Sequence, residues 1–554
     1  MKNRYMFLIM LASILMLSIN TYSQVLETNQ LPELRKYEIM IVKGANIPGF
    51  LGLPVNEIFV YSFHDGVGWE PIPFQIDEYD STYFDPSDGV FDENDELVFL
   101  VQDLGDQVSL GNWIDNEDSQ SRNRYEIEVV EPTDESKQGW CYLFHSTTLG
   151  EEDKSPVKYV QYDEENHAIS GKYYSVDYGE SWFPVDQMIT EENGGTNVDF
   201  YDRTKLRVIL IPVIFPWVFL EDSLVMTDVK VTENPVVRIR REIKLDLILQ
   251  GTIFQDNIPF NMFYYPYSTR FSGKLAVEEA WKVKSIRMSY DFNENAIGMK
   301  FYSGDSLGTR NNAFNVDGSN DAVDDSLSRN VPNWTMITGS PGSMLTFNSI
   351  DYESDPFYVS TYEQSLYYWD NTSGNLPIQD DYDTGDLKSF ADHGMIFREV
   401  AAEDYSLVGA FTYKTTSYLL GANQSTAVAQ QMFNNFLDNL WYNPHLQTYE
   451  IGIADIGATQ LPVEFALKPN YPNPFNPSTT LSFDIPTREE VMVDIYDVSG
   501  RHVKTIVNQE LNAGSHSYRW DATDDFNNQM STGLYICTIK AGKNVASQKL
   551  LLVK

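Results

Sequence analysis

The sequence predicts an all-β protein. It reads as an N-terminal β-sandwich, a larger two-sheet β region with one helix near its end, and a C-terminal β-sandwich. Two observations carry this. Apolar residues recur at every second position over long stretches, and glycine- and proline-rich turns punctuate them. Only one segment of the chain switches to helical spacing.

The clearest strand is Val236 to Gln250. Val237, Ile239, Ile243, Leu245, Leu247 and Leu249 fall on one face, and Arg238, Arg240, Glu242, Lys244 and Asp246 on the other. Arg241 interrupts the apolar face. A bulge at Arg240–Arg241 would account for it without any function, the alternative being a buried catalytic arginine. Ile286, Met288, Tyr290 and Phe292 repeat the alternation, so two large sheets are expected to pack face to face over residues 161–456.

In chain order, residues 1–23 read as a signal peptide. Lys2 and Arg4 are the basic region, Phe7 to Ile19 the apolar stretch, and Thr21 and Ser23 the small residues before a cut after Ser23. No other stretch reads as a membrane span. Leu206 to Leu220 is apolar but short, and with Pro212 and Pro216 it reads as one or two buried strands. Residues 24–160 read as a β-sandwich, with strands at Tyr37–Val42, Glu57–Phe63, Glu96–Gln102 and Arg124–Val130. Ser425 to Trp441 spaces Val428, Met432, Phe436 and Leu440 four apart, a helix that Ser425 or Thr426 can cap and that covers a sheet edge or end. Five prolines between Gly457 and Pro477 mark a stiff connection, assigned to residues 457–470.

Composition narrows the function classes. Of 554 residues, 80 are acidic and 39 basic, a net charge of −41 that disfavours nucleic acid as a partner. Cys141 and Cys537 lie far apart and read as free, buried thiols.

Candidate chemistry is sparse. Gly304-Asp305-Ser306-Leu307-Gly308 fits the serine elbow and resembles the nucleophile block of GDSL-type esterases, with Gly318-Ser319-Asn320-Asp321 mimicking a later block. An elbow needs a helix behind it and a histidine base, and neither is legible here. Around Gly89 as the sixth position of a calcium loop, Asp88, Asp92 and Asp95 fall at positions five, nine and twelve. Phe84 and Pro86 stand where oxygen donors belong, so the loop is either a weak Ca²⁺ site helped by Asp85 or Asp77, or a turn before the next strand. Asp380, Asp381, Asp383 and Asp386 form a second acidic loop. No zinc motif is present. The aromatic runs Met262–Phe271 and Tyr367–Trp369 would suit stacking on sugar rings, or simply strand cores. No carboxylate pair for glycoside hydrolysis can be singled out. Gly339 to Ser343 reads as a turn and not a phosphate loop.

Residues 471–554 carry a recognisable pattern. Tyr-Pro-Asn-Pro-Phe-Asn-Pro-Ser-Thr-Thr-Leu-Ser-Phe-Asp-Ile-Pro opens it at Tyr471. Val491–Arg501, Gly514–Trp520, Gly533–Ile536 and Lys549–Lys554 continue it. This stretch resembles the type A sorting domain of type IX secretion cargo and is similar to the Ig-like domain of flagellar hook-capping proteins. The resemblance implies an Ig-like sandwich, the type IX secretion machinery as partner, and an address that is secreted or on the outer cell surface. It also implies removal of the tail after export. In the body, Pro73–Glu78 and Asp95–Phe99 resemble uncharacterised secreted β-rich proteins. The strands after Lys205 resemble the supersandwich domains of some polysaccharide lyases and sugar mutarotases. With no coherent catalytic set, the expectation is a non-enzymatic binding or structural protein of the surface, with extracellular glycan as candidate ligand. The alternative is a carbohydrate-active enzyme, a polysaccharide lyase or glycoside hydrolase, using the large β region.

Overall fold

The computed structural model describes residues 28–79, 88–179, 181, 183–210, 217–220, 224–232, 234–249, 252–277, 283–305, 313–319, 321–327, 333–354, 362–371, 388–399, 409–449, 465–468, 470, 473–475, 478–511, 514–525 and 528–553. The protein is all-β, with antiparallel sheets and, among the described residues, one helix of three turns. It divides into two compact units, Val25–Glu450 and one containing Ile451–Lys554.

In the larger unit the expected N-terminal strands form, at Ile39–Lys43, Ile58–His64, Glu96–Leu100 and Asn123–Val130. Ile39–Lys43, Glu96–Leu100 and Phe74–Asp77 make a three-stranded sheet. It packs on a five-stranded sheet ordered Trp441–Thr448, Asn123–Val130, Gln138–His145, Ile58–His64, Gly68–Pro71. Val42, Leu97 and Phe99 meet Ile127, Val129, Cys141 and Leu143 in an apolar core. The outermost strand of the five arrives from Trp441–Thr448, more than 300 residues downstream of its neighbour, with Leu446 opposite Tyr125.

Two large sheets follow. One has six strands, ordered Trp217–Leu220, Tyr201–Leu210, Val283–Phe292, Ser389–Glu399, Tyr362–Asn371, Asp321–Leu327. The other has nine, ordered Leu224–Val231, Ile239–Leu249, Thr252–Tyr264, Ser268–Val277, Gly409–Leu420, Ser343–Ser354, Asn333–Thr338, Lys300–Asp305, Ala313–Asn315. Met288, Tyr290, Phe292 and Met395 of the first share one core with Ile243, Leu245, Ile258 and Met344 of the second. A small four-stranded meander, Val160–Asp163 to Asp186–Ile189, joins this core through Tyr174, Val176 and Ile189. The apolar stretch from Leu206 becomes two strands of one antiparallel pair, Arg207 facing Leu220.

The expected helix spans Thr426–Leu437, with the Ser425 hydroxyl accepting from the Val428 N–H as N-cap. Met432 and Phe433 cover Trp334, Leu345, Phe347 and Tyr418, so the helix lies on a sheet face, not on an edge or end. The helix stops before Leu440 and Trp441 because Trp441 opens the next strand. Arg35, 1% exposed, closes its far end by donating to the carbonyls of Asn435 (2.9 Å) and Asp438 (2.8 Å). That satisfies acceptors that every helix leaves open.

Arg241 corrects an expectation. The pairing of Arg240 with Phe263 and Arg241 with Met262 is regular, and the irregularities lie at Leu245–Ile248 instead. Arg241 therefore faces inward, 4% exposed, its guanidinium 4.1 Å from the centre of the Tyr178 ring. A cation–π contact replaces water there. The Tyr178 hydroxyl in turn meets that of Tyr264.

The unit containing the C-terminal stretch is a sandwich. Three strands (Ala466–Leu467, Thr479–Ile485, Gly514–Trp520) face four (His502–Leu511, Glu489–Asp497, Gly533–Ala541, Asn544–Leu552). Leu481, Phe483, Val491, Val493, Ile495, Trp520, Cys537, Ile539 and Leu550 fill the space between. Gly500 turns at φ +82°, where a side chain would be strained. Ala466–Leu467, within the stretch expected to be linker, pairs with Asp484 and Phe483.

Candidate functional site

The motif residues of the N-terminal sheet converge on one arginine. Gln75 stands mid-strand, and its Oε1 accepts from the backbone N–H groups of Val236 (2.9 Å), Val237 (3.2 Å) and Arg238 (3.1 Å). Asp77, two residues on and therefore on the same face, receives the Arg238 guanidinium through Nε (2.7 Å) and Nη2. Glu96 takes a third bond at 2.8 Å, and the Tyr79 hydroxyl lies at 3.2 Å. Pro73–Glu78 and Asp95–Phe99 thus form a joint between the N-terminal sheet and the nine-stranded sheet. A polar pair alternating on one strand was the signal for it, but the partner was not legible.

A second charged cluster was missed altogether. On the strand Val283–Phe292, Met288, Tyr290 and Phe292 enter the core, so Arg287, Ser289 and Asp291 project from the opposite face. Lys205 Nζ sits 2.6 Å from Asp291, 3.6 Å from Asp392 and 3.3 Å from the Ser389 hydroxyl. Asp291 also accepts from the N–H groups of Phe292 and Phe390. The Arg287 guanidinium stacks 4.2 Å from the Tyr367 ring centre. All three ionic side chains of the first group are at most 1% exposed. A lysine clamped between two carboxylates is neither a free base nor a nucleophile, and the group acts as an internal ion network. Nearby His393 is neutral: burial pushes it down to about 4, although its bond to the Ala391 carbonyl works the other way.

Between the two large sheets lies a cavity of about 40 Å³, lined by Gln187, Thr204, Tyr264, Tyr290, Thr415 and Ser417 among others. It has room for one or two waters, not for a ligand of sugar size. Gln187 Oε1 is buried without a protein partner, which suits a bound water.

A third group collects around Asp103. Its Oδ1 accepts from the Tyr159 hydroxyl at 2.7 Å, and Gln102 bridges the hydroxyls of Tyr159, Tyr173 and Tyr267. Tyr173 stacks on Tyr267 at 4.1 Å, so the tyrosines of that aromatic run serve packing. Burial pushes the Asp103 carboxyl up to about 7, with the Tyr159 hydrogen bond offsetting only part of it.

Of the predicted metal residues, Asp88 and Asp95 have their carboxylates hydrogen-bonded to loop backbone amides. Asp95 is 1% exposed, and its carboxylate accepts from the N–H groups of Tyr79 (2.9 Å) and Asp92 (2.7 Å). Asp88 accepts from Val90, and Glu78 from Gly89, whose φ is +79°. Asp77 belongs to Arg238. Among the described residues no three histidines, cysteines or carboxylates are placed to hold a metal ion. Phe84, Asp85 and Pro86, the loop Asp380–Asp386 and Ser306 lie outside the described residues. Gly304 is in a strand, where a Cβ would come within 2.2 Å of the Trp334 ring, so packing requires that glycine. Gly339–Ser343 turns between paired strands, as expected. Tyr368 is in the core, stacked on Phe301, and Tyr367 and Trp369 are buried too, so this run offers no open sugar platform.

A family model described as the FlgD Ig-like domain matches residues 475–544. No curated protein matches the chain. Among solved structures, a glycosyl hydrolase family 38 protein from Enterococcus faecalis is 9% identical with a TM-score of 0.37, over 90% of this chain and 58% of that one. An α-mannosidase from Enterococcus faecalis V583 is likewise 9% identical, TM-score 0.35, over 89% and 55%. PorZ of Porphyromonas gingivalis, a surface component of the type IX secretion system, is 10% identical, TM-score 0.13, over 74% and 61%. The chain thus spans little more than half the length of the two Enterococcus structures, and at these TM-scores none of the likenesses carries an argument. No helix among the described residues is long and apolar enough to cross a membrane. What stands is an Ig-like domain of the FlgD type at residues 475–544, beside a β-rich body of buried ionic joints.

Proposed function

We propose that this chain is a cargo of type IX secretion, delivered to the outer cell surface as a non-enzymatic binding or structural protein. Residues 1–23 serve as signal peptide, 24–160 and 161–456 as the working body, 457–470 as linker and 471–554 as sorting domain. The observation that carries the reading is the Ig-like unit with its own apolar core, opened by the Tyr471–Pro477 motif. Its charge supports the separation: residues 471–554 hold eight basic and nine acidic groups, net −1, against −41 for the whole chain. A neutral module attached to a strongly acidic one suits a division between address and cargo. The charged groups at the body's joints, Arg35–Glu131, Arg238–Asp77 and Lys205–Asp291, are buried and paired with one another, which favours a structural or binding role over catalysis.

The test compares the full chain with a version ending at residue 470, expressed in a cell with a type IX system. The full chain should be shaved from intact cells by protease, and the shortened one should be retained inside the outer membrane. Equal surface exposure would overturn the reading. A second reading is a carbohydrate-active enzyme; the buried Lys205–Asp291–Asp392 group does not supply its catalysis, and cleavage of any polysaccharide by the purified chain in a turnover screen would establish it.

A further inference from the structure

Lys205 and Asp291 lie on adjacent, hydrogen-bonded strands of the six-stranded sheet. Lys205 faces Ser289 and Arg203 faces Asp291, so the two side chains are diagonal neighbours on one sheet face. Lys205 Nζ stands 2.6 Å from Asp291 Oδ2, with Asp392 Oδ2 at 3.6 Å and the Ser389 hydroxyl at 3.3 Å. One C–O bond further on, the Asp291 carboxyl carbon is within roughly 4 Å of the nitrogen, close to the separation from which a nucleophile attacks.

The other oxygen of Asp291 is placed differently. Its Oδ1 accepts from the backbone N–H groups of Phe292 (3.0 Å) and Phe390 (3.2 Å). Two fixed amide donors on the oxygen away from the amine match what a developing oxyanion requires. Water is kept out, since the side chains of Lys205, Asp291 and Asp392 are at most 1% exposed. While charged, the lysine is no nucleophile. One proton passed from Nζ to Oδ2 converts the ion pair into a neutral amine and a neutral acid, forms that a dry interior penalises less than separate charges.

We propose that Lys205 and Asp291 condense into an intramolecular isopeptide bond, formed by the folded chain itself with Asp392 as proton carrier. The neutral amine attacks Cγ of Asp291. The N–C bond forms as the carbonyl electron pair moves onto Oδ1, where the Phe292 and Phe390 N–H groups hold the charge. Asp392 takes one proton from the nitrogen and hands it to the Oδ2 hydroxyl. The C–Oδ2 bond breaks, water leaves, and the pair on Oδ1 re-forms the carbonyl. The products are one amide and one water, with Asp392 restored, and no oxidant or cofactor takes part. Burial then opposes the reverse hydrolysis. The bond ties Tyr201–Leu210 to Val283–Phe292 and closes the chain between residues 205 and 291. It constrains the unfolded chain as a disulfide would, in a protein whose two cysteines are buried and free. It is independent of the route by which the chain leaves the cell.

The experiment is mass spectrometry on the purified full chain, denatured and digested with trypsin. The intact chain should be lighter by one water than the sequence from its observed N-terminus dictates. Trypsin should release a branched species joining residues 204–207 to 288–300, because an acylated Lys205 is not cut. Lys205→Arg keeps a cation in place but has no amine, and should give the unshifted mass and slower migration in a denaturing gel. Asp392→Asn should lower the branched fraction at least tenfold. Wild-type chain of full mass, with both peptides recovered in linear form, overturns the bond, whether or not either variant folds. A branch joining 204–207 to 389–398 overturns Asp291 as the acceptor, and undiminished branching in Asp392→Asn overturns Asp392 as the proton carrier.

Discussion

The body and the Ig-like unit solve the same problem, joining sheets into a sandwich, with different materials. The Ig-like unit uses apolar alternation: Val491, Val493 and Ile495 are fully buried while Met492 between them is exposed. The body adds buried ions at its joints. Arg35 binds Glu131 through a two-pronged contact of 2.7 and 2.8 Å, Glu38 at 2.7 Å, and the end of the helix. Arg238 binds Asp77 and Glu96. Lys205 binds Asp291 and Asp392. Apolar burial is non-directional and tolerates repacking, whereas a buried ion is satisfied in one geometry and is costly in any other. The body therefore gains specificity in how its sheets meet, and becomes more sensitive to single changes there.

The largest expected effect breaks a joint. Arg35→Ala would leave Glu131 buried without its partner and uncap the helix, a loss of about 3–5 kcal/mol for a broken buried pair. Calorimetry should show the body's transition falling while that of the Ig-like unit stays in place. A fall in both would mean that the two units do not unfold independently. Trp520→Ala should do the reverse, costing the Ig-like transition about 3–5 kcal/mol through lost contacts and the cavity left behind. A milder change there, Ile495→Val, should cost about 0.5–1.5 kcal/mol, as a tolerant apolar core allows.

The pH profile sharpens the contrast further. Asp103, pushed up to about 7 by burial, holds its proton more tightly folded than unfolded. Its contribution is present below about pH 4 and is lost as the pH rises toward 7. Glu38, also pushed up to about 7 by burial with Arg35 offsetting part of it, acts in the same direction. His393, pushed down to about 4 by burial, acts oppositely: its contribution is lost as the pH falls from about 6.5 to 4. Asp103→Asn should therefore flatten the decline in the body's stability between pH 4 and 7, by about 4 kcal/mol across that window, given roughly 1.4 kcal/mol per pKa unit. An unchanged slope would show that Asp103 is not the group responsible. The smallest effect concerns calcium. Because both Asp95 oxygens already bind backbone amides, EDTA should leave the melting temperature of the body where it was.

Much of the architecture was legible, for reasons that differ between residues. Period two along Ile286–Phe292 and Val491–Ile495 reports which face is buried, because the pleat sends alternate side chains to opposite sides. The Ser425 cap is local and needed no tertiary information. Arg241 was misjudged because a charge on an apolar face has two explanations, a bulge or an internal partner. The partner, Tyr178, lies 63 residues upstream, just past the end of the strand Tyr174–Asp177 of another sheet. Lys205 and Asp291 looked like ordinary polar positions on amphipathic strands. The face they occupy is buried, and alternation alone does not tell a wet face from a covered one.

The sequence by itself determined the β class, the strand faces, the helix and its cap, and the Ig-like pattern beginning at Tyr471. Each follows from spacing of a few residues, where covalent geometry dictates direction. Only the tertiary structure decided that Trp441–Thr448 completes the N-terminal sheet, that Gln75, Asp77 and Glu96 converge on Arg238, and that Asn473 clasps Lys549 and Leu551. Those contacts join residues separated by tens to hundreds of positions. Their pairing is fixed by loop closure, by register, and by the cost of leaving a buried polar group unsatisfied.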